Sequence, residues 1–192
     1  AWSSPLQQYL DVIRRVLESG HRKSNRTGVD TLSTFNVNYQ IDLRSGFPLL
    51  TTKEISWKNI VVENLWFLSG DTRIDLLRKH GCRFWEPWAD ENGLVPSAYG
   101  NFWRNFPVHK DGEAAFNDQI RYVVDELKAR PQSRRLVVSA WAPGNAQTSA
   151  LPPCHAFWVL NVQQDEHGEP LLCLHLTQRS CDVELGLPYN IA

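Results

Sequence analysis

Apolar residues recur at helical spacing in four stretches of the chain, at residues 4–20, 60–68, 74–77 and 116–127. The first begins with Ser-Pro, a common helix start, and ends at a glycine. The second is almost continuously apolar, which indicates a helix that enters the core. The pattern predicts helices in all four places.

Three stretches in the last third of the chain have the composition of β-strands, at residues 136–141, 156–162 and 171–177. The segment between the last two, residues 165–170, predicts a hairpin loop. Residues 31–43, rich in Thr, Phe, Val, Tyr and Ile, predict a further strand or hairpin arm. Helices that precede a strand-rich half indicate an α+β fold with helices packed on a sheet.

Residues 81–106 are dense in Trp, Phe, Pro and Gly, which is poor material for a helix. Trp85, Trp88 and Trp103 within this segment suit the wall of a ligand pocket. We therefore expect irregular structure here, close to a binding site.

Composition narrows the class of protein. A chain of 192 residues with 42% hydrophobic and 21% charged residues is ordinary for a globular protein, and it predicts a single domain over residues 1–192. The formal net charge of -1 argues against nucleic acid as a partner, although a local basic pocket remains open. No apolar run is long enough to span a bilayer, so no membrane contact is expected.

The four cysteines contain no C-x-x-C pair, so the spacing of zinc ribbons and of redox motifs is missing. No metal is expected, and reduced thiols in a cytoplasmic protein are the simplest interpretation.

Cys154 has an unusual context, because it follows Pro152-Pro153 and precedes His155. The prolines hold its approach stiff, while the histidine and nearby arginines favour a reactive thiolate. This context favours a nucleophile, although a buried structural role is the commoner fate of a lone cysteine. The other cysteines lack such a context and are interpreted as structural: Cys82, Cys173 and Cys181.

Arginines at three places are candidates to bind a phosphate. Arg179 and Ser180 pair a planar cationic fork with a hydroxyl donor, which suits a phosphate group. Arg134-Arg135 precedes a predicted strand, and Arg26 lies in a polar loop. Each could equally lie in a solvated turn, and the sequence does not show whether they converge.

Glu63 lies within the apolar run 60–68, where burial would raise the pKa of its carboxyl and suit it to proton transfer. The alternative is a place on the wet face of the helix. Asn190 is the last polar side chain, and its amide could match the O4 and N3–H edge of a uracil ring.

These motifs together resemble the thymidylate synthase family and its relatives, the pyrimidine-nucleotide hydroxymethylases. They occur in the family's order and cover nearly the whole chain. Any one motif is weak, whereas the ordered set is specific. The matching stretches are residues 25–28, 46–53, 63–72, 85–93, 99–100, 133–135, 151–155 and 178–192.

The resemblance implies a fold, α+β with a mixed sheet packed with helices, and a homodimer that forms through the sheet and shares its active sites. It also implies transfer of a one-carbon unit from 5,10-methylenetetrahydrofolate to C5 of dUMP, with dTMP as the product. The implied partners are a pyrimidine nucleoside monophosphate and the folate co-substrate, without a metal.

Site residues follow from the same resemblance. The implied catalytic group is Cys154, Glu63, Tyr99, His155 and Asp182, with Cys154 as the nucleophile that adds to C6. The residues implied for the nucleotide are Arg26, Gln178, Arg179, Ser180 and Asn190, with Arg134 and Arg135 reaching the phosphate of the other subunit. Those implied for the folate are Trp85, Trp88 and Asp182.

Departures from the family pattern leave two alternatives open. The unusual residues are Asn64, Ala142, Val159, Glu184 and Tyr189. Loss of polar groups near the pyrimidine could admit water, which would give a dUMP or (d)CMP 5-hydroxymethyltransferase. A dimer that binds nucleotide or RNA without catalysis is the other alternative. The family also continues well beyond the last residue, so the chain is expected to lack the C-terminal portion.

Overall fold

The structure is a computed structural model that describes residues 3–25, 27–145 and 149–192. The helices of these residues are α1 (Pro5–Ser19), α2 (Trp57–Ser69), α3 (Asp75–Lys79), α4 (Tyr99–Arg104), α5 (Gln119–Ala129) and α6 (Leu187–Ile191). The strands are β1 (His21–Lys23), β2 (Thr31–Ser33), β3 (Phe106–Lys110), β4 (Glu113–Asn117), β5 (Val137–Ser139), β6 (His155–Gln164) and β7 (Pro170–Gln178).

The predicted helices are confirmed where apolar periodicity was strongest. Helix α1 begins where the Ser4 hydroxyl accepts a hydrogen bond from the Gln7 N–H, and it ends before Gly20. Its apolar stripe buries Tyr9, Val12 and Val16. The predictions for α2, α3 and the β6–β7 hairpin are also confirmed.

Three predictions of local structure were wrong in part. The strand expected over residues 31–43 is limited to β2. The helix expected from residue 116 begins at Gln119, because Asp118 caps it, and Phe116 lies on β4 with 73% of its surface exposed. The segment 81–106 contains α4, because packing of its aromatic side chains outweighs weak helix propensity.

Contacts along the chain divide it into two compact units. The first comprises residues 1–56 and 181–192, and the second comprises residues 57–180. The core of the first unit contains Tyr9, Val12, Leu50, Leu187 and Ile191. That residues 1–192 form a single domain stays a prediction.

The core of the second unit is largely aromatic. Trp66 is fully buried, and its ring centroid lies 5.5 Å from that of Phe67 and 5.4 Å from that of Trp85. Tyr99 extends the cluster, with its ring centroid 5.0 Å from that of Phe67 and 6.1 Å from that of Trp85. Most of these rings meet edge to face or tilted, the arrangement that their quadrupoles favour. This cluster fixes α2 and α4 against each other.

A three-stranded sheet in the order β5–β6–β7 completes the second unit. One face packs Val138 and Trp158 against Val123 of α5. The resemblance implied a mixed sheet. The strand pairs of the described residues are antiparallel. The β6–β7 pairing aligns His155 with Gln178 and contains a bulge between His155 and Phe157.

The described residues contain no helix long and apolar enough to cross a membrane.

Gly100 lets α4 approach α2 closely, and its replacement by alanine is expected to lower the free energy of unfolding by about 1–3 kcal/mol. A Cβ at this position would fall on the carbonyl oxygen of Phe67, which is backbone and cannot turn aside. Urea unfolding of Gly100→Ala measures the effect. Gly144→Ala is the control, because no atom of the described residues lies within 4 Å of the place its Cβ would take, and the change there should stay within about 0.5 kcal/mol. Equal stability of the two variants would contradict the expectation.

Candidate active site

Cys154 lies half-buried immediately before β6, at the end of the stiff Pro152-Pro153 segment. Its backbone N–H donates to the hydroxyl oxygen of Tyr99 at 2.9 Å, and the N–H of His155 donates to the same oxygen at 3.1 Å. The backbone that carries the thiol is therefore fixed from α4.

Arg179 fixes the same segment from the opposite strand. Its Nε donates to the carbonyl of Pro153 at 2.8 Å, and its Nη2 donates to the carbonyl of Pro152 at 2.6 Å. The same Nη2 lies 3.7 Å from Sγ of Cys154. The guanidinium of Arg179 thus holds the backbone of this segment and also contacts its sulfur.

Strand pairing explains why Arg179 and Cys154 meet although 25 residues separate them. Because His155 pairs with Gln178, the residues just outside the paired segment face each other, and the Arg179 N–H donates to the Cys154 carbonyl at 2.9 Å. The Trp141 ring lies under the guanidinium, with the ring centroid 5.4 Å from Cζ.

Tyr99 begins α4 and is buried, with its ring stacked on that of His155 at 5.1 Å. Burial raises the pKa of Tyr99 to about 12, although the N–H of His155 that donates to its oxygen acts in the opposite direction. A phenol has two lone pairs and one O–H, and two backbone N–H groups already occupy the lone pairs. Its protonated O–H is thus the group left to donate to a substrate or a water.

Glu63 lies on α2 and accepts a 2.6 Å hydrogen bond from the indole Nε1 of Trp85. Burial raises the pKa of Glu63, and the bond from Trp85 partly offsets this effect. Trp85 in turn packs edge to face against Tyr99. The carboxyl group is thus partly buried within the second unit, as the apolar run predicted.

Replacing Glu63 by glutamine is expected to change how stability depends on pH. Because the pKa is raised in the folded protein, the neutral carboxyl stabilises the fold fully below the ordinary value of 4.5, and this contribution is lost as the pH rises through the folded pKa. The glutamine side chain cannot ionise, so Glu63→Gln should gain stability relative to the original protein as the pH rises above 4.5. Urea unfolding of both proteins over pH ~4 to ~8 measures the difference.

The matched control is Glu91→Gln, which changes an exposed carboxylate. The expectation would be contradicted if the free energy of unfolding of Glu63→Gln and that of the original protein changed in parallel over this pH range.

Arg134 and Arg135 are exposed in the turn between α5 and β5. Glu126, whose side chain is 5% exposed, holds this turn through an ion pair with Arg130 and a hydrogen bond with Ser133. The hydrogen bond from Arg130, and to a smaller extent that from Ser133, lowers the pKa of Glu126. The Arg135 N–H donates to the Ser133 hydroxyl at 3.3 Å.

Asp182 and Asn190 belong to the first unit. Asp182 accepts backbone hydrogen bonds from Glu184 and Leu185 at 2.9 and 2.7 Å. Asn190 lies on α6, with its Oδ1 3.7 Å from Sγ of Cys181. Their roles toward a ligand stay predictions.

The remaining predicted residues lie at different depths. Gln178 ends β7 and is half-buried, whereas Ser180 is exposed two residues later. Trp88 lies in a 3₁₀ turn, half-buried against the aromatic core. Arg26 lies outside the described residues.

Reasoning from the sequence missed three parts of the site. The carbonyls of Pro152 and Pro153 accept from Arg179, Trp141 supports that arginine, and Gln119 lies buried behind both α4 and β5. Backbone carbonyls carry no sequence signal. For Trp141, the available signal was an aromatic residue directly after a predicted strand.

Among the described residues, no group of three or more His, Cys, Asp or Glu side chains is arranged to hold a metal ion.

Comparisons with known proteins show the family of the chain. The family model described as thymidylate synthase matches residues 7–192. A protein of Haloferax volcanii named thymidylate synthase is 47% identical over 201 aligned positions. That alignment covers 95% of this chain and 57% of the relative, so the chain spans little more than half of the relative's length. The chain belongs to the thymidylate synthase family.

Proposed function

We propose that the protein transfers a one-carbon unit from 5,10-methylenetetrahydrofolate to C5 of dUMP and forms dTMP. The observation that carries this proposal is the setting of Cys154, whose sulfur lies 3.7 Å from Nη2 of Arg179 while Tyr99 holds its backbone. The name of the Haloferax volcanii relative supports the same reaction.

The first step that we assign is attack by Cys154. Its thiolate adds to C6 of the pyrimidine, and the electron pair moves through C5 to O4, so that C5 becomes a carbon nucleophile. Later loss of the sulfur from C6 restores the double bond and the free thiolate. Donors preorganised near O4 stabilise the charge that develops there, and removal of one such donor typically costs about 3 kcal/mol.

Proton movements fall to Glu63, Tyr99 and His155. Burial raises the pKa of Glu63, so its carboxyl holds a proton more firmly than an exposed one, which suits it to proton traffic at O4. Tyr99 remains protonated, so it orients a water that accepts the C5 proton rather than accepting the proton itself. His155, stacked on Tyr99, belongs to the same polar network.

The nucleotide phosphate is assigned to Arg26, Arg179 and Ser180, with Gln178 beside them. Because Nε and Nη2 of Arg179 hold the proline carbonyls, Nη1 is the nitrogen that we assign to the phosphate. The amide of Asn190 is assigned to the uracil edge, since it can donate and accept at once.

The folate co-substrate supplies the one-carbon unit and, for a methyl product, the hydride. Trp88 is only half-buried beside the aromatic core, so part of its ring remains accessible. We assign this exposed part to contact with the flat ring system of the folate. Trp85 is 7% exposed and uses its N–H to hold Glu63, so it acts mainly through that carboxyl. Asp182 is assigned to the pterin.

A homodimer that forms through the sheet is part of the proposal. Val137 and Phe157 lie on the sheet face turned away from α5, and they are 40% and 38% exposed. Burial of this apolar face against a second copy would let Arg134 and Arg135 reach the partner's phosphate. Sedimentation of the full-length protein tests this, and a monomer would contradict it. A cytoplasmic location is also proposed, because a reducing compartment keeps Cys154 a thiol.

Incubation of the full-length protein with dUMP and methylenetetrahydrofolate tests the reaction. We expect dTMP and dihydrofolate in equal amounts. Formation of a 5-hydroxymethyl nucleotide together with tetrahydrofolate would mean that water adds in place of the hydride, and it would overturn the methyl assignment. If no product forms and the protein retains bound nucleotide or RNA, the catalytic assignment itself fails.

A further inference from the structure

Gln119, the first residue of α5, carries one of the few buried polar side chains among the described residues, with 8% of its surface exposed. Its Nε2 donates to the carbonyl of Phe102 at 2.9 Å and to that of Ser139 at 2.7 Å. Its Oε1 accepts from the N–H of Ser139 at 2.9 Å. The amide thus uses both its donors and its acceptor inside the protein.

These bonds join the two elements that flank Cys154. Phe102 lies on α4, one helical turn after Tyr99, and Ser139 ends β5, two residues before Trp141. The Ser139 hydroxyl donates to the Trp141 carbonyl at 3.2 Å, which continues the connection toward Trp141.

Both elements then reach the nucleophile. Tyr99 accepts from the backbone of Cys154, and Trp141 lies under Arg179, which contacts the sulfur. The N–H groups of Ala140 and Trp141 also donate to the carbonyl of Ala156, at 2.9 and 3.0 Å, two residues beyond Cys154. A displacement of either element would therefore move a group that touches Cys154.

We propose that Gln119 is a positioning residue that sets the distance between Tyr99 and the Trp141–Arg179 pair, and so the reactivity of Cys154. The kinetic part of this inference rests on the proposed function. Removal of the Gln119 amide would leave the carbonyls of Phe102 and Ser139 and the N–H of Ser139 without this partner. Helix α4 and strand β5 would then separate or take in water between them.

Gln119→Met in the full-length protein tests the proposal, because methionine has similar length but no hydrogen-bonding amide. We expect kcat for dTMP formation to fall about tenfold while KM for dUMP changes less than about twofold. We also expect alkylation of Cys154 by iodoacetamide, measured on its peptide by mass spectrometry, to slow by about threefold or more. The alkylation needs no substrate, so it reports on Gln119 even if dTMP formation fails.

Val123→Ala is the matched control, since Val123 lies one turn further along α5 and is 2% exposed, but its side chain is purely apolar. It should loosen the packing of α5 and leave kcat and alkylation near the original values. Equal effects of the two variants at equal loss of stability would reduce Gln119 to a structural role and overturn the proposal.

Combination with Tyr99→Phe tests the route. If Gln119 acts through Tyr99, Gln119→Met should lower kcat by less than about twofold in the Tyr99→Phe background. A full tenfold loss there would overturn that route.

Should the methionine variant not fold, Gln119→Asn takes its place, because its amide is one methylene too short to reach both carbonyls. The same losses are then expected of it.

Discussion

Replacing Cys154 by serine is expected to lower dTMP formation by about 10⁴-fold or more, because removal of a catalytic nucleophile leaves only binding and orientation. A serine hydroxyl is a much weaker nucleophile than a thiolate, and it would take the place of the sulfur beside Nη2 of Arg179. Incubation with 5-fluoro-dUMP and methylenetetrahydrofolate gives a direct measurement. Fluorine at C5 cannot leave as a cation, so the original protein should hold the nucleotide covalently, and Cys154→Ser should not.

The control for this variant is Cys173→Ser, which changes a half-buried thiol on β7. It should keep both the covalent adduct and turnover. An adduct that forms on Cys154→Ser, located by mass spectrometry on another residue, would show that the nucleophile is assigned wrongly.

Tyr99→Phe is expected to reduce both activity and stability. The phenylalanine ring preserves the stacking on His155 but removes the oxygen that accepts from Cys154 and His155. An unsatisfied buried donor costs about 1–3 kcal/mol, and two N–H groups lose their acceptor here. We assign the Tyr99 O–H to the orientation of water, so its loss should lower kcat by about 10²- to 10⁴-fold.

Urea unfolding together with steady-state kinetics separates the two effects. Tyr122→Phe is the control, because Tyr122 lies on α5 with 42% of its surface exposed. It should leave both quantities within error of the original. If Tyr99→Phe keeps full kcat, the hydroxyl has no part in proton transfer, whatever its effect on stability.

The fold was predictable where a single pattern decided the element. The apolar stripe with Ser4-Pro5 before it and Gly20 after it was enough for α1, and the two strand-like runs around a polar loop were enough for β6–β7. Helix α4 was not predictable, because its residues form a helix only when Tyr99 and Phe102 pack into the aromatic core.

The hairpin of β3 and β4 is a different kind of failure. Asp111 and Gly112 both have positive φ, at 54° and 86°, and Asp-Gly is a strong signal for the tight turn that this requires. The signal was present in the sequence, but no strand was predicted between the irregular segment 81–106 and the helix expected from residue 116.

In the candidate site, residue types were predictable and their partners were not. The apolar surroundings of Glu63 pointed to a raised pKa, which its burial causes in the structure. The context of Cys154 pointed to a nucleophile, and that role stays a prediction. Local patterns contain no information on tertiary packing or strand register. The hydrogen bond from Trp85 to Glu63 depends on the first, and the hydrogen bonds from Arg179 to the carbonyls of Pro152 and Pro153 depend on the second.

The register of β6 and β7 constrains how this hairpin can change in evolution. Cys154 and Arg179 stand at its open end, so a residue inserted into or deleted from either strand would slide one past the other and reverse which face each side chain occupies. The closed end, residues 165–169, can grow or shrink without that penalty. We therefore expect homologous chains to tolerate length variation at the turn and to keep the strand lengths fixed.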